Sequence, residues 1–150
     1  MTYRANYFVI GLVVALAIVN PDATAAGEGT STLSGKVTHI RDGDTIKVGP
    51  VPIRLEGVSA PEIRERLGKE SKKFMRDLVY GKLVSCNLKG PKTYDRFVAV
   101  CFLNGEDIGA LLIKQGLARD CPRYSKRRYE DLDRDSAKSR IKLPRYCLTK

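Results

Sequence analysis

Features that define several common classes of protein are absent from this chain of 150 residues. No apolar run reaches the roughly 20 residues that a membrane-spanning helix needs, and no repeat of roughly 20–50 residues indicates a solenoid. The cysteines lack the CxxC-type or histidine-containing spacing of zinc sites. A catalytic thiol needs a histidine partner, and the single histidine, His39, lies in a strand-like stretch and is interpreted as a surface residue.

Acidic residues are also scarce relative to basic ones. The chain has 27 Lys and Arg against 17 Asp and Glu, a net charge of +10, within an otherwise ordinary globular composition of 43% hydrophobic residues. The length favours one domain over two. The charge predicts an acidic partner, with nucleic acid first and anionic lipid or cell-wall polymer second. Residues 123–150 are the most basic, with ten Lys and Arg against four acids, although a solvated helix face has the same composition.

The first 25 residues differ from the rest of the chain. Arg4 precedes an uncharged run over residues 7–19, and a break at residues 20–22 leads to the small-residue sequence 23–25. This order predicts a signal peptide over residues 1–25 and an exported protein, located in the periplasm or secreted. A buried N-terminal helix or an uncleaved signal anchor are the alternatives. Removal of residues 1–25 deletes one cation and one anion, so the mature chain keeps its net charge of +10.

The mature part is predicted to be a flexible leader over residues 26–32 followed by one domain over residues 33–150. Short apolar alternations separated by turn residues indicate strands, and apolar residues at helical spacing indicate helices. The predicted order is a three-stranded meander over 33–58, a helix around 71–78, a strand over 83–88, a strand over 97–103, a helix around 108–112 and a helix over 124–141. Five strands with about three helices predict an α+β fold, a small Greek-key barrel of the OB type.

All four cysteines lie in the predicted mature part, and an even number in an exported chain indicates two disulfides. Three pairings are possible, and spacing alone does not choose between them. Cys86 and Cys101 lie about equally far from the middle of one predicted hairpin, which makes a cross-strand bridge reasonable. Cys147 then pairs with Cys121 and fastens the end of the third helix to the body.

Four short motifs carry the chemistry, and each is weak when it stands alone. They are Asp-Gly-Asp-Thr at 42–45, Ile-Arg-Leu-Glu-Gly-Val at 53–58, Ser-Ala-Pro-Glu at 59–62 and Tyr-Asp-Arg-Phe-Val-Ala at 94–99. In this order and spacing they resemble the thermonuclease (staphylococcal nuclease) family. The resemblance covers about residues 34–141 and implies a nuclease that hydrolyses phosphodiester bonds of DNA and RNA with low sequence specificity.

The resemblance implies a role for several positions. Glu62 matches the carboxylate that acts as general base and orients the attacking water. Arg54 and Arg96 match two arginines that hold the scissile phosphate and stabilise the phosphorane, as the guanidinium donates two parallel hydrogen bonds and stays charged. Tyr94 and Tyr124 either contact the nucleotide or cap the barrel.

The resemblance also implies a calcium cofactor, because hard oxygen ligands suit Ca²⁺. Asp44 matches a calcium-ligand aspartate, and Ala60 matches a position that lends its backbone carbonyl. The family has a second ligand aspartate where this chain has Ser59, a poorer ligand that predicts weaker calcium binding unless Asp42 or Glu56 compensates. A second departure is Asp95, which precedes Arg96 and either pairs with that arginine or points to solvent.

Three hypotheses follow from these residues. The first is an exported, calcium-dependent nuclease, monomeric as the default for its size, that acts on nucleic acid and prefers single strands. The second is the same barrel with a weakened metal site, which binds nucleic acid or another polyanion without cutting. The third is a surface protein that places the basic segment 123–150 on anionic lipid or envelope polymer, whereas the first two expect no membrane contact after signal cleavage.

Overall fold

Eight strands are present in the computed structural model, which describes residue 1 and residues 31–148. They are β1 (Thr32–Ile40), β2 (Thr45–Val48), β3 (Val51–Leu55), β4 (Val58–Ser59), β5 (Leu83–Leu88), β6 (Phe97–Leu103), β7 (Glu106–Asp107) and β8 (Arg119–Asp120). Five of them follow the order β3-β2-β1-β5-β6, and a parallel pairing of β3 with β6 closes them into a barrel. This mixed barrel with attached helices confirms the predicted α+β fold of the OB type.

The helices are short and lie outside the barrel. They are α1 (Gly68–Val79), α2 (Ile108–Lys114), α3 (Pro122–Ser125) and α4 (Asp135–Lys138), with 3-10 turns at Glu130–Leu132 and Arg145–Cys147. The core forms where the inward side chains of the barrel meet α1 and α2, because those faces are apolar. Its fully buried members include Ile46, Ile53, Met75, Ile108, Leu112 and Ile113. Within residues 31–148, no helix has the length and apolar character needed to cross a bilayer.

The single predicted helix over residues 124–141 is wrong. The chain forms α3, the turn Glu130–Leu132 and α4 instead, and two of the predicted inner residues, Tyr129 and Ala137, are buried without a continuous helix. The break comes at Lys126 and Arg127, which both adopt left-handed backbone conformations with φ of 56° and 63°. A left-handed residue ends a right-handed helix. Packing of the buried residues therefore outweighs the helical periodicity of the segment.

Both predicted disulfides are confirmed. Cys86 pairs with Cys101 across the directly opposed positions of β5 and β6, and Cys121 pairs with Cys147 between α3 and the last turn. The predicted signal peptide lies outside the described residues, as does most of the predicted leader. Thr32, the last residue of that leader, begins β1 and pairs with Asn87.

Asp107 connects α2 to the segment that follows α3, and this connection yields a stability prediction. Its Oδ1 caps α2 by accepting the backbone N–H groups of Gly109 and Ala110 at 2.8 and 3.1 Å, and its Oδ2 accepts the Tyr129 hydroxyl at 2.8 Å. Tyr129 is buried, and burial raises the pKa of its hydroxyl, so the group stays a donor. We expect Asp107→Ala to lower the free energy of unfolding by about 2–3 kcal/mol, since a cap is lost and a buried hydroxyl loses its acceptor.

Urea unfolding measures this effect, with Tyr129→Phe as the matched control. That variant removes the same hydroxyl while keeping the cap, and we expect it to cost about 1 kcal/mol. Equal losses in the two variants would show that the cap contributes nothing.

Candidate functional site

A polar cavity of about 410 Å³ opens at one end of the barrel and collects most of the predicted site residues. The turn between β1 and β2 supplies Asp42 and Asp44, β3 supplies Arg54, and the residue just before β6 supplies Arg96. The chain after β4 supplies one rim. Its charged and polar lining residues are Arg41, Asp42, Asp44, Arg54, Ser59, Glu62, Glu65, Arg96, Lys142, Arg145 and Tyr146.

Strand pairing explains why the two arginines meet. Ile53 pairs with Phe97 and Arg54 pairs with Val98 in the parallel contact between β3 and β6. Residues two apart on a strand share a face, so Arg96 and Val98 lie on the same side as Arg54, opposite the buried Ile53. Two arginines that are 42 positions apart in sequence therefore reach one cavity.

Asp44 is the most buried acid in this cavity, with 6% of its surface exposed. Its Oδ2 accepts the Ala60 N–H at 2.8 Å and forms an ion pair with Arg54 Nη1 at 2.6 Å, while Oδ1 accepts the Thr45 hydroxyl at 3.1 Å. Burial raises the pKa of the Asp44 carboxyl to about 7; Arg54 opposes this rise, and the charge of Asp42 adds to it. Burial of the carboxyl is thus the main cause of its raised pKa, and the ion pair with Arg54 offsets that rise only in part.

The other predicted active-site residues surround this ion pair. Arg96 donates from Nη1 to the Thr45 hydroxyl at 3.3 Å, one residue from Asp44. Glu62 is exposed at the rim, and its backbone N–H donates to Glu65 Oε2 at 2.8 Å, which orders the loop after β4. Ser59 lines the cavity with 3% of its surface exposed and pairs with Arg119 of β8. Two arginines, a buried acid and an exposed acid thus share one opening.

The surroundings of three further acids decide what the two departures from the family motif mean. Asp95 Oδ2 lies 3.5 Å from Arg41 Nη1, and both side chains are exposed, so Asp95 pairs with Arg41 and leaves Arg96 free of that contact. Glu56 accepts from Arg128 Nη2 at 3.1 Å and does not line the polar cavity. Asp42 does line it, and its Oδ1 accepts the Asp44 N–H at 3.1 Å. Of the two acids considered as compensation for Ser59, only Asp42 is in place.

The two tyrosines lie elsewhere. Tyr94 and Tyr124 line a second, more apolar cavity of about 540 Å³ beside the first. Arg54, Arg96 and Tyr146 line both cavities and thus form the boundary between them. The structure therefore brings the predicted charged residues together in one cavity and the predicted tyrosines together in its neighbour.

Sequence analysis missed one wall of the polar cavity. Residues 142–146 line it, and they include Lys142, Arg145 and Tyr146. The only available signals were the basic character of the segment and the predicted bridge of Cys147 to Cys121. Those signals place the chain end near the body, but they do not say which surface it covers.

The donor set of the polar cavity decides how well a calcium ion fits. Asp42, Asp44 and Ala60 offer the hard oxygen atoms that Ca²⁺ prefers, and Asp44 already forms an ion pair with Arg54. Residues 31–148 contain no group of three or more His, Cys, Asp and Glu arranged around a common metal position. The residues fit calcium by donor type, with few charged ligands, so weak binding is expected.

Barrels of the OB type are a class of small proteins that commonly bind oligonucleotides, and this one gathers two arginines, a buried aspartate and a rim glutamate in one cavity. Comparison with known proteins gives the family. The family model described as "Staphylococcal nuclease homologue" matches residues 52–142, and the chain belongs to this family.

Three relatives illustrate the similarity. An uncharacterized endonuclease of Haemophilus influenzae is 36% identical over 60% of this chain and 53% of its own length. An uncharacterized endonuclease of Escherichia coli O157:H7 is 31% identical over 57% of this chain and 60% of its own. The succinoglycan biosynthesis protein ExoI of Rhizobium meliloti is 33% identical over 74% of this chain and 62% of its own. The chain thus spans between half and two thirds of the length of these relatives.

Proposed function

We propose that the protein is an exported, calcium-dependent nuclease that hydrolyses phosphodiester bonds of DNA and RNA with low sequence specificity. The observation that carries this proposal is the convergence of Arg54, Arg96, Asp44 and Glu62 on one polar cavity. A phosphodiester carries one negative charge and gains more as water attacks, so preorganised arginines contribute most of the stabilisation. A protein that only bound phosphate would have no use for Glu62 at the rim.

Each residue has a defined task in this reaction. Glu62 orients a water molecule and accepts its proton as the water oxygen bonds to phosphorus. Arg54 and Arg96 donate hydrogen bonds to the non-bridging oxygens as the phosphorus–oxygen bond to the leaving sugar breaks, and the leaving oxygen takes a proton from solvent. Asp44, with Ala60 and Asp42, would hold a calcium ion, which when bound would supply Lewis-acid polarisation of the phosphate.

The charge of the protein supports the choice of substrate. A net charge of +10 attracts a polyanion without regard to sequence. The polar cavity joins an apolar cavity lined by Tyr94 and Tyr124, a combination that suits an unstacked base next to its phosphate. Single strands are therefore the preferred substrate.

Export and oligomeric state are part of the same proposal. Two disulfides in residues 31–148 are compatible with an oxidising compartment, and the pattern of residues 1–25 is typical of a signal peptide. We propose a monomer located in the periplasm or the medium, without membrane contact after signal cleavage.

Hydrolysis of single-stranded DNA by the oxidised protein, measured across a calcium titration with a chelator control, tests this function. We expect turnover that saturates only at high calcium and disappears with chelator. A second candidate function, a barrel that binds nucleic acid without cutting, is favoured by Ser59 and by the ion pair that already occupies Asp44. Salt-sensitive DNA binding with no turnover at any calcium concentration would establish that second function in place of the first.

The calcium site yields a prediction of its own. We expect Ser59→Asp to raise calcium affinity by roughly tenfold, because it adds a carboxylate to a cavity with few charged ligands. Calorimetric titration of calcium into the metal-free protein measures this directly. Without calcium the same variant is less stable than wild type, since the new charge lies near Asp42 and Asp44. Ser59→Asn, of similar size and neutral, is the matched control, and an equal gain from Asn would rule out the added charge as the cause.

A further inference from the structure

The last described segment of the chain forms a wall of the polar cavity, although it lies far in sequence from the family motifs. Residues 142–146 line this cavity, and Tyr146 also lines the neighbouring apolar cavity. This wall segment, as we call residues 142–146, carries Lys142 and Arg145, which line the same cavity as Arg54 and Arg96.

The wall segment is fixed at both ends. At its start, Arg119 Nη1 donates to the Ile141 carbonyl at 3.3 Å, and the same guanidinium forms a largely buried ion pair with Asp133 at 3.2 Å. At its end, Cys147 forms the disulfide with Cys121. A short span held at two points loses little conformational entropy when a ligand binds to it.

Tyr146 is placed at the boundary between the two cavities. Its ring packs edge-to-face with Tyr124, with ring centroids 6.4 Å apart, and 52% of its surface is exposed. Arg123 lies over the Tyr124 ring, 5.7 Å from its centroid. An aromatic ring that packs against a second ring and is half exposed keeps part of its surface available to a planar ligand.

We propose that Tyr146 stacks on the nucleobase next to the phosphate held by Arg54 and Arg96, and that the Cys121–Cys147 disulfide positions it for this contact. The ligand class is single-stranded nucleic acid, with its base in the apolar cavity and its phosphate in the polar one. This inference rests on the proposed function only for the identity of the substrate. Tyr146 supplies the part of the affinity that depends on the base, and Lys142 and Arg145 supply affinity for the sugar–phosphate backbone.

Binding of two fluorescent probes in chelator tests the proposal without hydrolysis. One probe is a short oligothymidylate, and the other is the same sugar–phosphate backbone without bases. We expect the wild-type protein to bind the oligothymidylate more tightly than the base-free probe. In Tyr146→Ala the affinity for the oligothymidylate falls by roughly five- to a hundredfold, while the affinity for the base-free probe is unchanged. Lys142→Ala lowers the affinity for both probes equally, because Lys142 interacts with the sugar–phosphate backbone that the two probes share.

Four further variants separate stacking from other effects. Tyr146→Phe keeps the ring and retains the preference. Tyr80→Ala removes a tyrosine of similar exposure, 49%, that also lies beside an arginine but lines neither of the two cavities, and it leaves the affinity for both probes unchanged. Cys121→Ser with Cys147→Ser loses the preference although Tyr146 is present, whereas Cys86→Ala with Cys101→Ala retains it.

The outcomes distinguish this inference from the nuclease proposal. Equal affinity of the wild-type protein for the two probes, or an unchanged preference in Tyr146→Ala, overturns the inference even if hydrolysis is robust. A preserved preference in the double serine variant overturns the role of the disulfide. Absence of hydrolysis with a preference that depends on Tyr146 refutes the nuclease and supports the inference. Absence of binding to either probe overturns the inference alone, and the calcium titration of hydrolysis then decides the nuclease proposal separately.

Discussion

Replacement of Glu62 by glutamine is expected to lower DNA hydrolysis by roughly a hundred- to ten-thousandfold, the contribution typical of a general base. Glutamine keeps the size and the hydrogen-bonding oxygen of the side chain but cannot accept a proton from water. Binding of single-stranded DNA should remain nearly intact, because Arg54 and Arg96 stay in place and a negative charge at the rim is removed. Single-turnover hydrolysis and probe anisotropy measure the two quantities separately.

Glu65→Gln is the matched control for this prediction. Glu65 lines the same cavity three residues later and accepts the backbone N–H of Glu62, a contact that the glutamine oxygen can also make. We expect turnover within a few-fold of wild type. An equal loss of binding and hydrolysis in Glu62→Gln, or a comparable loss in Glu65→Gln, would remove Glu62 from the role of base.

Replacement of Arg54 by alanine is expected to reduce both stability and function. Arg54 Nη1 lies 2.6 Å from Asp44 Oδ2, and the two side chains are 18% and 9% exposed. Without its partner the buried Asp44 stays protonated in the folded protein, so the stability loss appears above pH 7 and grows by up to about 1.4 kcal/mol per pH unit. Nucleic-acid affinity and turnover fall as well, because one of the two phosphate donors is lost. Urea unfolding in chelator, compared at pH 5 and pH 8, measures the stability effect.

The pH dependence of this loss has a defined sign. The folded-state pKa of Asp44 is raised to about 7 from 3.8, so its contribution to stability is complete at low pH and is lost as pH rises toward 7. Arg54 opposes that rise, and its removal moves the pKa of Asp44 higher still. The destabilisation by Arg54→Ala is therefore small near pH 5, where the carboxyl is protonated in the folded protein, and large near pH 8.

Arg54→Lys separates the two roles of Arg54. A lysine retains the positive charge beside Asp44 but cannot donate two parallel hydrogen bonds to a phosphate. We expect most of the stability to return while turnover stays low. Full recovery of turnover in Arg54→Lys would contradict the proposed two-donor contact with phosphate.

The barrel was predictable because its signals are local. Alternating apolar residues and turn residues such as Gly49 predict strands and their connections, and each barrel strand predicted between residues 33 and 103 is present. The disulfides were also accessible, since Cys86 and Cys101 lie symmetrically in one hairpin and the remaining two cysteines pair by elimination once that bridge is accepted.

The segment after residue 121 was predictable only in part. Its helical periodicity indicated one long helix, but burial of Tyr129 and Ala137 is achieved with left-handed residues at Lys126 and Arg127 in between. The partners of Asp95 and Glu56 were likewise open in the sequence. Arg41 and Arg128, which pair with them, are separated from them by 54 and 72 positions, and no local pattern encodes such contacts.

The family, the barrel and the types of residue at the site could be predicted without the structure, because motif order, strand periodicity and turn chemistry are properties of neighbouring residues. Which residues share a cavity depends instead on the tertiary fold. The parallel pairing of β3 with β6 brings Arg54 and Arg96 together, and the anchors at Ile141 and Cys147 place Tyr146 between the two cavities. These arrangements depend on contacts between distant parts of the chain, whose free energies are set by packing and burial in the folded protein.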